Sequence, residues 1–147
     1  MLSGILLALC KSFMKNPTMH GKKVLIVEDH SECRDLLARC FRYMYFEPIE
    51  AGSGGEAIAK ATLEFPEAIL LDLSLPDMTG IDLIKALKSN IKTIGIPIIV
   101  NTGRTDKMTE TKALQAGADA YFTKPAALLD LTKTIEKLLI RPDTCVQ

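Results

Sequence analysis

Four places in this sequence hold residue types that can do chemistry together. Glu28 and Asp29 follow the apolar run Val24 to Val27, and Asp72 follows Ala68 to Leu71. Thr102 comes just after Ile96 to Val100, and Lys124 stands before Pro125. In an open parallel sheet, ligands bind beyond the carboxyl ends of the strands, where the strand order reverses. Three carboxylates crowded at such an edge repel one another and raise a pKa unless a cation compensates them. A hard divalent ion with a preference for oxygen does so, and Mg2+ suits two or three carboxylates with a carbonyl and waters. That donor set serves phosphoryl transfer, where catalysis is mainly positioning and charge neutralisation. Asp72 is then the nucleophile toward phosphorus, and Lys124 and the Thr102 hydroxyl contact phosphoryl oxygens. Taken singly, each residue reads more simply: a strand-ending acidic pair, a turn aspartate, a capping hydroxyl, a solvent-facing lysine. Their shared position at the ends of successive strands favours the functional reading.

The elements that must position these residues follow from periodicity. Five short apolar runs alternate with helix-like segments, the pattern of a doubly wound α/β fold with a five-stranded parallel sheet. The first strand is Val24 to Val27. Ser31 is read as the cap of a helix whose apolar positions are Leu36, Leu37, Cys40, Phe41 and Met44. A weaker strand spans Phe46 to Ala51. Ser53 and Glu56 form a capping box ahead of Ala57, Ile58 and Ala61, and Pro66 closes that helix. Ala68 to Leu71 make the third strand. Gly80 precedes a helix with Ile81, Ile84 and Leu87, and Ile96 to Val100 make the fourth strand. A polar helix from about Asp106 to Ala116 stops at Gly117. Tyr121 and Phe122 mark a fifth strand, and Leu128, Leu131, Ile135, Leu138 and Leu139 a final helix.

The chain of 147 residues is 48% apolar and 24% charged, ordinary for one soluble domain. Four of its 18 basic residues, Lys11, Lys15, Lys22 and Lys23, lie in the first 23 positions, which hold no acid. The rest carries 14 basic against 18 acidic residues, which argues against a general nucleic-acid surface. Cys10, Cys33, Cys40 and Cys145 show neither zinc-ligand nor redox-pair spacing, so reduced thiols and a cytoplasmic location are expected. The apolar stretch Ile5 to Leu9 is too short to cross a bilayer and lacks the preceding positive residues of a signal peptide. Residues 1–21 are expected to be a flexible extension, 22–141 the domain and 142–147 a short tail without an output module.

The segments Val24-Leu-Ile-Val-Glu28-Asp29, Asp72-Leu-Ser-Leu-Pro76-Asp-Met-Thr-Gly80, Pro97-Ile-Ile-Val-Asn-Thr102-Gly103 and Ala116-Gly-Ala-Asp-Ala-Tyr121-Phe-Thr-Lys124-Pro125 resemble the receiver domains of bacterial two-component signalling. The resemblance spans roughly residues 22 to 140. It implies the flavodoxin-like strand order 2-1-3-4-5 and phosphorylation of Asp72. The implied metal ligands are Asp29 directly, Glu28 largely through water, Asp72, and the Ser74 carbonyl. It further implies that Thr102 and Lys124 bind the phosphoryl group and that the Lys124-Pro125 peptide is cis. Tyr121 is implied as a switch with Thr102, and Ser74 and Arg104 as residues that flank the phosphoryl group and set its lifetime. Gly103, where alanine is usual, and Asn101, where the strand is usually apolar, depart from the pattern.

The expected function is that of a phosphorylation-controlled response regulator in a phosphorelay, not a free-standing enzyme. A sensor histidine kinase or a histidine phosphotransfer protein would be the donor. A protein target would recognise the face of the last two helices and fifth strand, with no direct nucleic-acid contact. A transient homodimer through the last-helix face is compatible with this reading. Two other readings stand beside it. One is a pseudo-receiver scaffold that is not phosphorylated, which ought to lack part of the strand-end set. The other is a small magnesium-dependent aspartyl phosphatase, which generally carries an acid two residues after its nucleophile, where this chain has Ser74.

Overall fold

The computed structural model describes Gly4 and residues 17–140. The expectations placed on residues 5–16 and on the tail from 141 onward lie outside the described residues. Strands β1 (Lys23–Val27), β2 (Glu47–Ala51), β3 (Ala68–Leu71), β4 (Ile98–Thr102) and β5 (Ala120–Thr123) form one sheet in the order β2-β1-β3-β4-β5. Every pairing is parallel, so the fold is the doubly wound α/β arrangement of flavodoxin and receiver type.

Helices α1 (Ser31–Tyr43), α2 (Gly54–Glu64), α3 (Gly80–Lys88), α4 (Lys107–Ala116) and α5 (Leu128–Leu139) make the connections. Side-chain alternation along the strands divides the core in two. Leu25, Val27, Ile69, Leu71, Ile98 and Val100 face α2, α3 and α4, through Ala57, Ala61, Leu83, Ile84, Leu87 and Ala113. Val24, Ile26, Ala68, Leu70 and Ile99 face α1 and α5, through Ala38, Phe41, Leu131 and Ile135. Covering both faces makes β3 apolar at every position, and each buried Leu or Ile contributes roughly 1.5–3 kcal/mol.

Several local expectations are corrected. The cap position of α1 is His30, with Ser31 already inside the helix and no side-chain cap bond made. Leu36 lies on the solvent side of α1, 63% exposed, and Ala38 takes the buried position instead. Gly80 is the first residue of α3 rather than the one before it, and Thr79 caps the helix through the Asp82 amide. The fourth strand begins after Pro97, which has no N–H to give the ladder, and it runs on through Thr102. At α2, Ser53 accepts from the Glu56 amide, but the Glu56 carboxylate accepts from Gly52 rather than closing back on Ser53. Pro17–Met19 form a short 3-10 turn, and Met19 is buried against the α1 and α5 side of the core.

Candidate functional site

The ladders deliver the site. One residue past its strand, Glu28 donates its N–H to Ala51, Asp72 donates to Val27 and Lys124 donates to Thr102, at 2.8 to 3.0 Å. Each side chain is therefore fixed by backbone pairing at the carboxyl edge of the sheet. Alternation sets its direction as well. Glu28 continues Val24 and Ile26, Asp72 continues Ala68 and Leu70, and Lys124 continues Ala120 and Phe122, all on the α1 and α5 side.

The result is a compact ionic cluster. Lys124 Nζ donates to Asp72 Oδ2 at 2.7 Å and to Glu28 Oε2 at 2.9 Å. Asp72 Oδ1 accepts from the Ser74 amide at 3.1 Å. Asp72 is 7% exposed and Glu28 1%. Burial pushes the Asp72 carboxyl up, but hydrogen bonding, above all from Lys124, outweighs it and holds the group below its ordinary range. The same contacts hold Lys124 above the ordinary lysine value against its own desolvation. Asp72 is thus an ionised carboxylate with one oxygen oriented by an amide and the other beside an ammonium. The Lys124-Pro125 peptide is cis.

On the solvent side, Glu28 Oε1 and Asp29 Oδ1 converge on one point, where His30 Nδ1 lies 3.1 and 3.0 Å away. The hydrogen bond to Glu28 and then the Asp29 charge raise the His30 pKa. Glu28, Asp29 and His30 form a cluster able to hold a metal ion. Two converging carboxylate oxygens suit an oxygen-preferring divalent ion such as Mg2+, so the donor set fits that cofactor. His30 is not among the residues expected from sequence, because its signal as a lone histidine after an acidic pair is slight.

The remaining residues are placed less centrally. Thr102 is fully buried at the end of β4, and its hydroxyl oxygen accepts from the Arg104 amide at 3.4 Å. The Arg104 side chain turns toward α4, to Asp106 at 3.3 Å and Thr109 at 3.4 Å, rather than toward Asp72. Tyr121 donates its hydroxyl hydrogen to the Arg104 carbonyl at 2.8 Å, which ties β5 to the loop after β4. Ser74 contacts Asp72 through its amide, and its side chain is in an exposed residue. Asp77 is a positioning residue not expected from sequence. Its carboxylate takes the Gly54 and Gly55 amides at 2.8 and 2.9 Å, pinning the loop after β3 to the start of α2.

Residues 24–136 match the sequence pattern described as the response regulator receiver domain. The chain belongs to that family. This receiver domain is 35% identical over 123 residues to the phosphate regulon transcriptional regulatory protein PhoB of Pseudomonas aeruginosa, covering 84% of this chain and 54% of that protein. It thus spans about half the length of the curated relatives it matches. Its structure is similar to a CheY-like receiver domain protein from Methanospirillum hungatei (TM-score 0.76, 33% identity), with 81% of this chain and 94% of that chain covered. Chemotaxis protein CheY4 of Vibrio cholerae is similar too (TM-score 0.76, 28% identity, 81% and 99% covered). Among the described residues no helix is long and apolar enough to cross a membrane.

Proposed function

We propose that this receiver domain takes a phosphoryl group from a phosphohistidine onto Asp72 and passes the signal to a protein partner. The donor is a sensor histidine kinase or a histidine phosphotransfer protein, and the setting is cytoplasmic. The observation that carries the reading is the buried Asp72 carboxylate, held between the Ser74 amide and the Lys124 ammonium beside a second carboxylate.

The chemistry follows from those contacts. An Asp72 oxygen attacks phosphorus and forms an acyl phosphate as the phosphorus–nitrogen bond breaks. An imidazole protonated on its other nitrogen leaves neutral, carrying the electron pair of that bond. Ser74 fixes the carboxylate rotamer, so the attacking oxygen is oriented before the donor arrives. Lys124 neutralises charge next to Asp72 without needing to move in from solvent. A magnesium ion on Glu28 and Asp29, with Asp72 alongside, supplies further positive charge for the phosphoryl oxygens when bound. Thr102 and Tyr121 are assigned to the switch, because the Arg104 backbone accepts from Tyr121 and donates to Thr102. The domain acts on itself, with the phosphodonor as co-substrate, and is not a free-standing enzyme in this reading.

The test is incubation with magnesium and acetyl phosphate, followed by a search for acid-labile, hydroxylamine-sensitive phosphate. The parent chain should label on Asp72, and Asp72→Asn should not label at all. A folded parent that stays unlabelled, beside a control receiver that labels, would overturn the proposal.

A further inference from the structure

Helices α3 and α4 lie side by side on the sheet, and the space between them is an open groove of about 940 Å³. Its floor is apolar, built from half-buried Leu75, Met78 and Ile81 packed on the core. Its rim is cationic, with Lys85 from α3, Lys112 from α4 and Arg104 from the loop after β4. Arg104 is engaged by Asp106. Lys85 and Lys112 are exposed, and among the described residues neither ammonium has an ion-pair partner. The acid that lines the groove, Asp77, has its carboxylate committed to the Gly54 and Gly55 amides. The groove therefore presents unpaired positive charge on both walls above an apolar floor, a mixture that single surface lysines do not make.

We propose that this groove docks an acidic amphipathic helical segment of a partner protein. Apolar side chains on one face of that segment cover the floor, and carboxylates beside them pair with Lys85 and Lys112. A small inorganic anion would meet one wall and leave the floor exposed. The chain's own residues 1–23 carry four lysines and no acid, the wrong sign for this rim. The groove lies across α4 from the face of α4, β5 and α5, so it adds a second surface to any partner bound there.

The experiment selects displayed random peptides of about four helical turns (~15 residues) against the full chain, with a K85E/K112E variant as counter-target. No phosphodonor is present, so the outcome does not depend on whether Asp72 accepts a phosphoryl group. Selected peptides should combine acidic residues with apolar ones at helical spacing and should shift the amide resonances of Leu75, Met78 and Ile81. K85E/K112E, with its folded spectrum verified, should weaken binding about tenfold or more, since two attractive pairs become repulsive. Lys133→Glu on α5 should leave binding unchanged. Peptides without an acidic bias, peptides that bind K85E/K112E equally well, or shifts confined to β5 and α5 would each refute the proposal. So would inorganic phosphate alone reproducing the groove shifts, or self-association of the chain producing them.

Discussion

Asn101 sits in β4 next to Thr102, 6% exposed, and no protein group among the described residues donates to its Oδ1. Alternation places its side chain on the side of Ile99, against the α1 and α5 half of the core. A buried amide oxygen without a donor costs the desolvation of that group, roughly 1–3 kcal/mol. Asn101→Val should therefore stabilise the domain by about 1–2 kcal/mol, since valine also suits a strand. Urea unfolding checks it: a midpoint at or below the parent's would show that the amide is satisfied in solution. The oddity of Asn101 was legible in the sequence as a polar residue in an apolar run. Glu28, Asp72 and Lys124 were legible for the converse reason, because each is a charge that ends such a run. Positioning contacts made away from that sheet edge were not legible. Asp77 bonds amides more than twenty positions away, and the turn of Arg104 toward Asp106 and Thr109 depends on side-chain geometry that no spacing rule encodes.

At the scale of elements, the informative piece is the start of α4, the helix that joins the site loop to the groove wall. Asp106 caps it, accepting from both the amide and the hydroxyl of Thr109, while Arg104 reaches back to the same carboxylate. These contacts, the Thr109 hydroxyl first, hold the Asp106 pKa down at about 2. A depressed carboxylate contributes stability that is complete above its unfolded value of about 3.9 and is lost as pH falls through its folded value. Asp106→Asn keeps an acceptor for the Thr109 amide but removes the charge. Its stability deficit should hold steady near neutral pH and shrink between about pH 4 and the folded value near 2. Urea unfolding across that range measures it, and a deficit unchanged by acid would refute the assignment. The sequence located this helix to within a residue because Asp106 and Gly117 bracket it. It misplaced the starts of α1 and α3 by one position: Ser31, read as a cap, and Gly80, read as preceding its helix, are each the first helical residue. It also grouped Leu36 with the apolar positions of α1, because Leu36 and Leu37 are adjacent in sequence and periodicity alone does not decide which faces inward.

For the whole molecule, the question is where the folded unit begins. The expected boundary at Lys22 rests on the first strand, the earliest segment with a readable pattern. Before it, Pro17–Met19 form one short turn with a single apolar residue, too little for any period to show. Yet Met19 is 2% exposed and belongs to the same cluster as Val24, Phe41, Met44 and Phe46. The Gly21 amide also donates to the Tyr45 carbonyl at 2.8 Å, closing this turn onto the chain between α1 and β2. The turn thus plugs the amino-terminal end of the α1 and α5 half of the core, the pole opposite the carboxylates. Met19→Ala should open a cavity there and cost about 2–5 kcal/mol, the range for a fully buried methionine. The proposed phosphorylation of Asp72 rests on contacts at the other end of the sheet, so labelling of the folded fraction should stay at the parent's level. Loss of stability with labelling retained would make residues 17–21 part of the domain's core rather than of an extension. An unfolding midpoint equal to the parent's would return them to the extension and leave the boundary at Lys22.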